Sequence, residues 1–176
     1  YGLDDNITIR LADGLCGIQK DDVDTVTICG MGGKLMKDII EAGKDRLSNG
    51  MQLILSPQSE VREFRAYLLE NGIDILSEMM IKDEGKYYFI FHVLVKKDER
   101  EWSEEEYRYG KDICKDDMKT FLAYLEKEER QYEQILEKMK QAPENDRAAQ
   151  RIAQLHQDIT CLKKRRQLVY DCGCFA

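Results

Sequence analysis

No apolar run in the 176-residue sequence approaches the roughly 18 residues a membrane-spanning helix needs, so a transmembrane protein is not expected. A Gly-x-Gly-x-x-Gly fingerprint is also lacking, which disfavours a nicotinamide-dependent oxidoreductase. Cationic excess is missing too: 27 Lys and Arg against 34 Asp and Glu leave a net charge of −7. That balance argues against a general nucleic-acid binder, because neutralising phosphates takes clustered cations. The chain opens Tyr1-Gly2-Leu3-Asp4-Asp5-Asn6, with neither an initiator Met nor the basic and apolar regions of a secretory leader. The chain therefore reads as cut into rather than processed for export, and a cytoplasmic location is expected. No Cys-x-x-Cys occurs, and the one close pair, Cys172-Gly173-Cys174, lacks the further ligands of a zinc site, so no metal is expected.

What is present suits a soluble globular protein with a large solvated helical surface: 43% hydrophobic and 35% charged residues. Six cysteines are expected to be reduced thiols, because aliphatic strands and helices of this density need no disulfide staples. Positive charge gathers only near the end. From position 146 on, Arg147, Arg151, Lys163, Lys164, Arg165 and Arg166 face three acids, Asp146, Asp158 and Asp171, a local excess an RNA backbone could use.

Two halves differ in period. Up to residue 98, short β-rich runs (Ile7 to Leu11, Thr25 to Cys29, Met51 to Leu55) alternate with helical stretches, Lys34 to Ala42 with Leu35, Ile39 and Ala42 on one face, and Ser59 to Asn71 with Val61, Phe64 and Leu68. This β-α-β-α-β succession implies a parallel sheet with right-handed crossovers. Ile73 to Ile81, a Lys82-Asp83-Glu84-Gly85 turn and Tyr87 to Lys96 then predict a long two-stranded hairpin with no helix between. From 99 to 176 the chain is helical. Ser103 to Glu106 is a capping box, with Trp102 and Tyr107 as its hydrophobic staple. Met118, Leu122, Leu125, Glu129, Tyr132, Leu136 and Met139 repeat at alternating spacings of four and three. After Ala142-Pro143, Ala148, Ile152, Leu155, Ile159, Leu162, Arg166 and Val169 do the same. Two heptad seams, each broken by one charge, specify an antiparallel hairpin of coiled-coil type, on which a third helix from Trp102 to Asp112 could pack.

Leu11-Ala12-Asp13-Gly14 closes one strand run with an acid, and Cys29-Gly30-Met31-Gly32-Gly33 leaves the next through three glycines before a helix. Such a turn lets backbone N–H groups and a helix N-terminus approach a ligand, although glycines also serve simply to make a tight bend. Together with Leu53-Ile54-Leu55-Ser56-Pro57 and Asp83-Glu84-Gly85-Lys86-Tyr87-Tyr88, these segments resemble in order and spacing the tRNA (adenine(22)-N1)-methyltransferase family, over essentially the whole chain.

The resemblance implies a Rossmann-like class I methyltransferase sheet, incomplete here because strands 1 and 2 of the order 3-2-1-4-5-7-6 would precede Tyr1, followed by a helical coiled-coil domain. It implies methyl transfer from S-adenosylmethionine to adenine N1 in the D-loop region of bacterial tRNA, at position 22. On that reading Asp13, Gly14, Gly30, Met31 and Gly32 bind the cofactor, Gly33, Ser56, Pro57, Gln58 and Tyr88 border the target base, and Lys163, Lys164, Arg165 and Arg166 contact tRNA. No catalytic residue is singled out. Two departures stand out: family members carry Leu-Gln-Pro-Asn where this chain has Leu55-Ser56-Pro57-Gln58, and Tyr-Glu where it has Tyr88-Phe89. The glycine turn of the first strand and the ribose-binding acid are absent, so the 176-residue chain is expected to be inactive alone and to self-associate through an exposed strand edge. The alternative is a degenerate or truncated methyltransferase fold that acts as a coiled-coil interaction module.

Overall fold

The computed structural model describes residues 6–96, 100–111, 118–141 and 146–171. Cys114, the Ala142-Pro143 turn and the Cys172-Gly173-Cys174 pair lie outside them. The chain forms two compact units, Tyr1–Leu76 with Phe91–Glu99, and Ser77–Ile90 with Arg100–Ala176. The division differs from the boundary expected at residue 98, because the distal part of the strand hairpin groups with the helices.

In the first unit, strands Thr25–Met31 (β1) and Gln52–Pro57 (β2) alternate with helices Gly33–Ala42 (α1) and Val61–Glu70 (α2). Strands Ile73–Asp83 (β3) and Lys86–Val95 (β4) follow and run on into the second unit. The sheet order is β1-β2-β4-β3. β1 and β2 are parallel, with Val26 opposite Leu53 and Ile28 opposite Leu55, and β2 pairs antiparallel with β4, Leu53 opposite Val93. Alternation puts Leu53, Leu55, Phe91 and Val93 on a buried face, where Phe64 of α2 meets Phe91 with ring centroids 6.1 Å apart. Each such side chain contributes roughly 1.5–3 kcal/mol of burial. Thr25, Thr27 and Cys29 on the other face of β1 are exposed.

The β-rich run from Ile7 to Leu11, which could be expected in a displaced position, is not a strand. Arg10 instead donates to the Gly17 carbonyl at 2.9 Å and to Asp22 at 2.6 Å, tying the segment to a loop, and Ile7, Ile9 and Leu11 are exposed. An extended segment without a hydrogen-bonded neighbour gains nothing from strand geometry. In α1 the buried face is Met36 and Ile40, whereas Leu35 is exposed. Periodicity alone left the phase of this short helix open, and packing against the sheet chose it.

The hairpin turn places Glu84 (φ 45°) and Gly85 (φ 79°) in the left-handed region, as a two-residue hairpin loop of the primed type requires. Along β3 the buried positions change phase between Ile75 and Glu78, with Leu76 and Ser77 both exposed, where the chain passes from one unit to the other.

Helices Glu104–Tyr109 (α3), Met118–Lys140 (α4) and Asp146–Asp171 (α5) make up the rest of the second unit. The α3 capping box is present: Glu106 N–H donates to Ser103 Oγ at 3.2 Å and Ser103 N–H to Glu106 Oε2 at 2.8 Å, with the Trp102 and Tyr107 rings 5.9 Å apart. α4 and α5 pack antiparallel, Glu129 meeting Arg166 while Met139 lines a surface notch with Ala148 and Arg151. All fourteen seam residues named above are buried or half-buried. α3 docks on α5 through Arg108, whose Nη2 lies 2.9 Å from Asp158 Oδ1. Tyr124 of α4 sets its ring against Tyr87 and Phe89 in edge-on contacts of 5.4 and 5.3 Å. No helix among the described residues is long and apolar enough to cross a membrane.

Candidate functional site at the ends of the parallel strands

At the C-terminal ends of β1 and β2 two turns are clasped together. Gln58 N–H donates to the Met31 carbonyl at 2.8 Å, Gly33 N–H to the Ser59 carbonyl at 3.0 Å, and Lys34 N–H to the Glu60 carboxylate at 3.0 Å. Each glycine has its own reason. Gly30 is the extra residue where the register slips between Cys29 opposite Ser56 and Met31 opposite Pro57, and its φ of +79° is costly for any side chain. A Cβ on Gly33 would lie 2.7 Å from the Ser59 carbonyl oxygen, so the residue is there for close approach of backbones. Gly32 has an ordinary extended φ of −65°, and a Cβ would meet only the Ser59 hydroxyl, at 2.8 Å.

The clasp corrects one reading of the turn. The α1 N-terminus does not offer its first N–H groups to a ligand, because Ser59 and Glu60 take those of Gly33 and Lys34. Glu60 puts a negative charge at the positive end of the α1 dipole. Sequence reasoning missed it. An acid just before α2 signals a cap for α2 itself, yet Glu60 sits at φ 55°, makes no side-chain cap to its own helix, and turns to α1.

Of the residues expected at the cofactor and target base, Gly30, Met31, Gly32, Gly33, Ser56, Pro57 and Gln58 are brought together here. Gly30, Met31 and Gln58 are exposed, while Ser56 and Pro57 are buried. Asp13 and Gly14 are not part of this group. They begin a short 3-10 turn, Gly14–Gly17, that packs Gly14 on Ile39 and Leu15 on Gly43, the C-terminal half of α1. Ile39 lies about 9 Å along the helix from Gly33 at 1.5 Å per residue. The fit to a nucleoside cofactor is therefore partial: open glycine backbone at the ends of parallel strands, an exposed Asp13 carboxylate further off, and an α1 N-terminus already occupied. Among the described residues no group of three His, Cys, Asp or Glu could hold a metal.

Tyr88 and the run from Lys163 to Arg166 belong to the second compact unit. Tyr88 is half-buried, on the strand face opposite Tyr87 and Phe89. The cationic run is largely spoken for. Lys163 and Arg166 pair with Glu129, and Lys164 lies 3.4 Å from Glu105. Arg165 is buried, donates to the Lys111 carbonyl at 3.1 Å and covers the Phe121 ring at 5.7 Å, so it cannot meet an RNA phosphate as expected.

A parallel β-α-β-α succession with a glycine turn at its strand ends, completed by the β3–β4 hairpin, defines a Rossmann-like methyltransferase fold. Residues 1–164 match the tRNA (adenine(22)-N(1))-methyltransferase family, and the chain belongs to it. The Bacillus subtilis (strain 168) tRNA (adenine(22)-N(1))-methyltransferase is 30% identical over 174 residues, 93% of this chain and 70% of that protein. The crystal structure of the B. subtilis m1A22 tRNA methyltransferase superposes with a TM-score of 0.84 at 28% identity, covering 94% of this chain and 72% of that one. A Streptococcus pneumoniae protein crystallised with S-adenosyl-L-methionine superposes with a TM-score of 0.74 at 28% identity, over 89% of this chain and 67% of that one.

Proposed function

We propose that this protein methylates N1 of adenine 22 in bacterial tRNA, in the cytoplasm, with S-adenosylmethionine as donor. The observation that carries the reading is the clasp of the Gly30–Gly33 and Ser56–Glu60 turns at the parallel strand ends, within a chain of this family. S-adenosylmethionine, when bound, supplies a methyl group on a sulfonium sulfur. Neutral adenine N1 has its own lone pair, so no side chain need remove a proton before attack. The residues' task is to hold N1 in line and to tolerate the charge that appears on the base. Gln58, tethered by its N–H to Met31, offers an exposed side-chain amide for hydrogen bonding to the adenine. Gly30 and Met31 supply backbone beside it, and Ser56, Pro57 and Gly33 support the wall. Asp13 and Gly14 serve the adenosine end of the cofactor.

Turnover is proposed to be slow, given the partial fit at the cofactor side. The helical half of the chain acts as a coiled-coil domain that grips the RNA. β1, at the end of the sheet order, is proposed to pair with a second copy by strand addition. Sedimentation that stays monomeric over a wide concentration range would remove that last element. The activity is tested by tritium transfer from S-adenosylmethionine into unmodified tRNA. Label that depends on tRNA, with a reverse-transcription stop at adenine 22, is the expected result. Absence of tRNA-dependent label would overturn it in favour of an interaction module.

A further inference from the structure

Most cations of the second unit that lie near acids are neutralised by them: Arg108 on Asp158 and Glu104, Lys140 on Glu137, Lys163 and Arg166 on Glu129. Lys82 and Lys127 are different. Their ammonium groups lie 5.4 and 5.3 Å from the centroid of the Tyr87 ring, and neither forms an ion pair among the described residues. A cation held over a ring is positioned without being neutralised, since the ring has no net charge and the N–H donors turned away from it stay available. Tyr87 is itself fixed by the edge-on contact with Tyr124 at 5.4 Å, and exposed Lys86 adjoins it. Glu128, beside Lys127 in α4, bonds to Tyr132 and also feels the Lys127 charge, so it lessens the field at that lysine without forming an ion pair with it among the described residues. The turn acids Asp83 and Glu84 are exposed and form no ion pair with these lysines among the described residues, so they lessen the local field without occupying the ammonium groups.

We propose that the distal β3–β4 hairpin and the adjoining face of α4 form an RNA-backbone contact, in which Lys82 and Lys127, held over Tyr87, each bind a phosphate. The inference rests on the proposed tRNA substrate and adds a site that the charge run at 163–166 had obscured. Cations held in position by a ring contact retain the charge by which proteins track a nucleic-acid backbone. In a chain of net charge −7, cations held outside ion pairs are the ones best able to displace counterions from RNA.

The test is the affinity of this chain for unmodified tRNA across a salt series, for wild type, K82M/K127M, K82R/K127R and K163M/K164M. Methionine keeps an apolar stem over Tyr87 and removes the charge, while arginine keeps the charge and the ring contact. Loss of two phosphate contacts should lower the slope of log affinity against log salt by about 1.4–1.8 and weaken binding by about tenfold or more at physiological salt. The arginine pair should bind as wild type, and K163M/K164M should change the slope much less. An unchanged slope in K82M/K127M, with unchanged melting, would overturn the contact while leaving the tRNA reading intact. A melting loss in K82M/K127M together with a wild-type slope would likewise assign the lysines to packing. A wild-type chain with no affinity for tRNA would overturn the reading of the substrate and this contact with it.

Discussion

Glu129 of α4 and Arg166 of α5 are paired across the helical hairpin. Each is the one charge interrupting a heptad seam, and their pairing is expected to favour the register in which the two apolar rows meet. Lys163 adds a second cation to the same carboxylate at 3.6 Å. Glu129 keeps 13% and Arg166 28% of side-chain exposure, so solvent screening tempers the interaction.

Removing one member should cost more than removing both. E129A is expected to destabilise the helical unit by about 1–2 kcal/mol, below the figure for a fully buried pair, whereas E129L/R166M should be near neutral and less specific in register. Urea unfolding of the single and double variants reads the difference. Equal losses for both would show that the pair does not set the register.

The three glycines of the turn should separate cleanly. Gly33→Ala is expected to cost roughly 1–3 kcal/mol through contact with the Ser59 carbonyl, and Gly30→Ala about 1–2 kcal/mol for its left-handed φ. Gly32→Ala should stay within about 1 kcal/mol, because an ordinary φ suits alanine and the Ser59 hydroxyl can turn aside. Thermal melts of the three decide it, and a Gly32 variant as damaged as Gly33 would contradict this account of the clasp.

Arg165→Ala should act through stability. Loss of its bond to the Lys111 carbonyl and of its cover on Phe121 is expected to cost about 1.5–3 kcal/mol. Under conditions where the variant remains folded, tRNA affinity and its salt slope should match wild type. A reduced slope in the folded variant would return Arg165 to the RNA interface.

In alkali the helical unit should weaken before its other chemistry changes. Burial first, then Glu105, pushes the Cys161 thiol up to about 11, and burial, then Glu128, pushes the Tyr132 phenol up to about 12. Both folded values are raised, so the neutral groups' contribution is complete below the ordinary values near 9 and 10. It is lost as pH rises through those folded values. The urea midpoint should be level between pH 7 and 8.5 and fall above about 9, less steeply at first in C161A. A midpoint still level at pH 11 would contradict the burial of both groups.

Much of this was legible in the amino-acid order because the interactions concerned are short-range or periodic. Ser103 and Glu106 are three residues apart and cap one another wherever the helix sits; Glu84-Gly85 adopts left-handed backbone because the loop has two residues; the heptad rows of α4 and α5 repeat over several turns, long enough to fix their phase. The family resemblance likewise rested on contiguous strand-end segments. Tertiary structure alone decided the rest. Met36 rather than Leu35 faces inward because a ten-residue helix has too few turns to fix its own phase. Glu60 caps α1 instead of α2, Arg165 is buried among cations that look alike in sequence, and Lys82 and Lys127, 45 positions apart, converge on Tyr87. In each case the side chain's energy depends on what approaches it through space, since charge and desolvation act over a few ångströms of separation and not over positions in the chain.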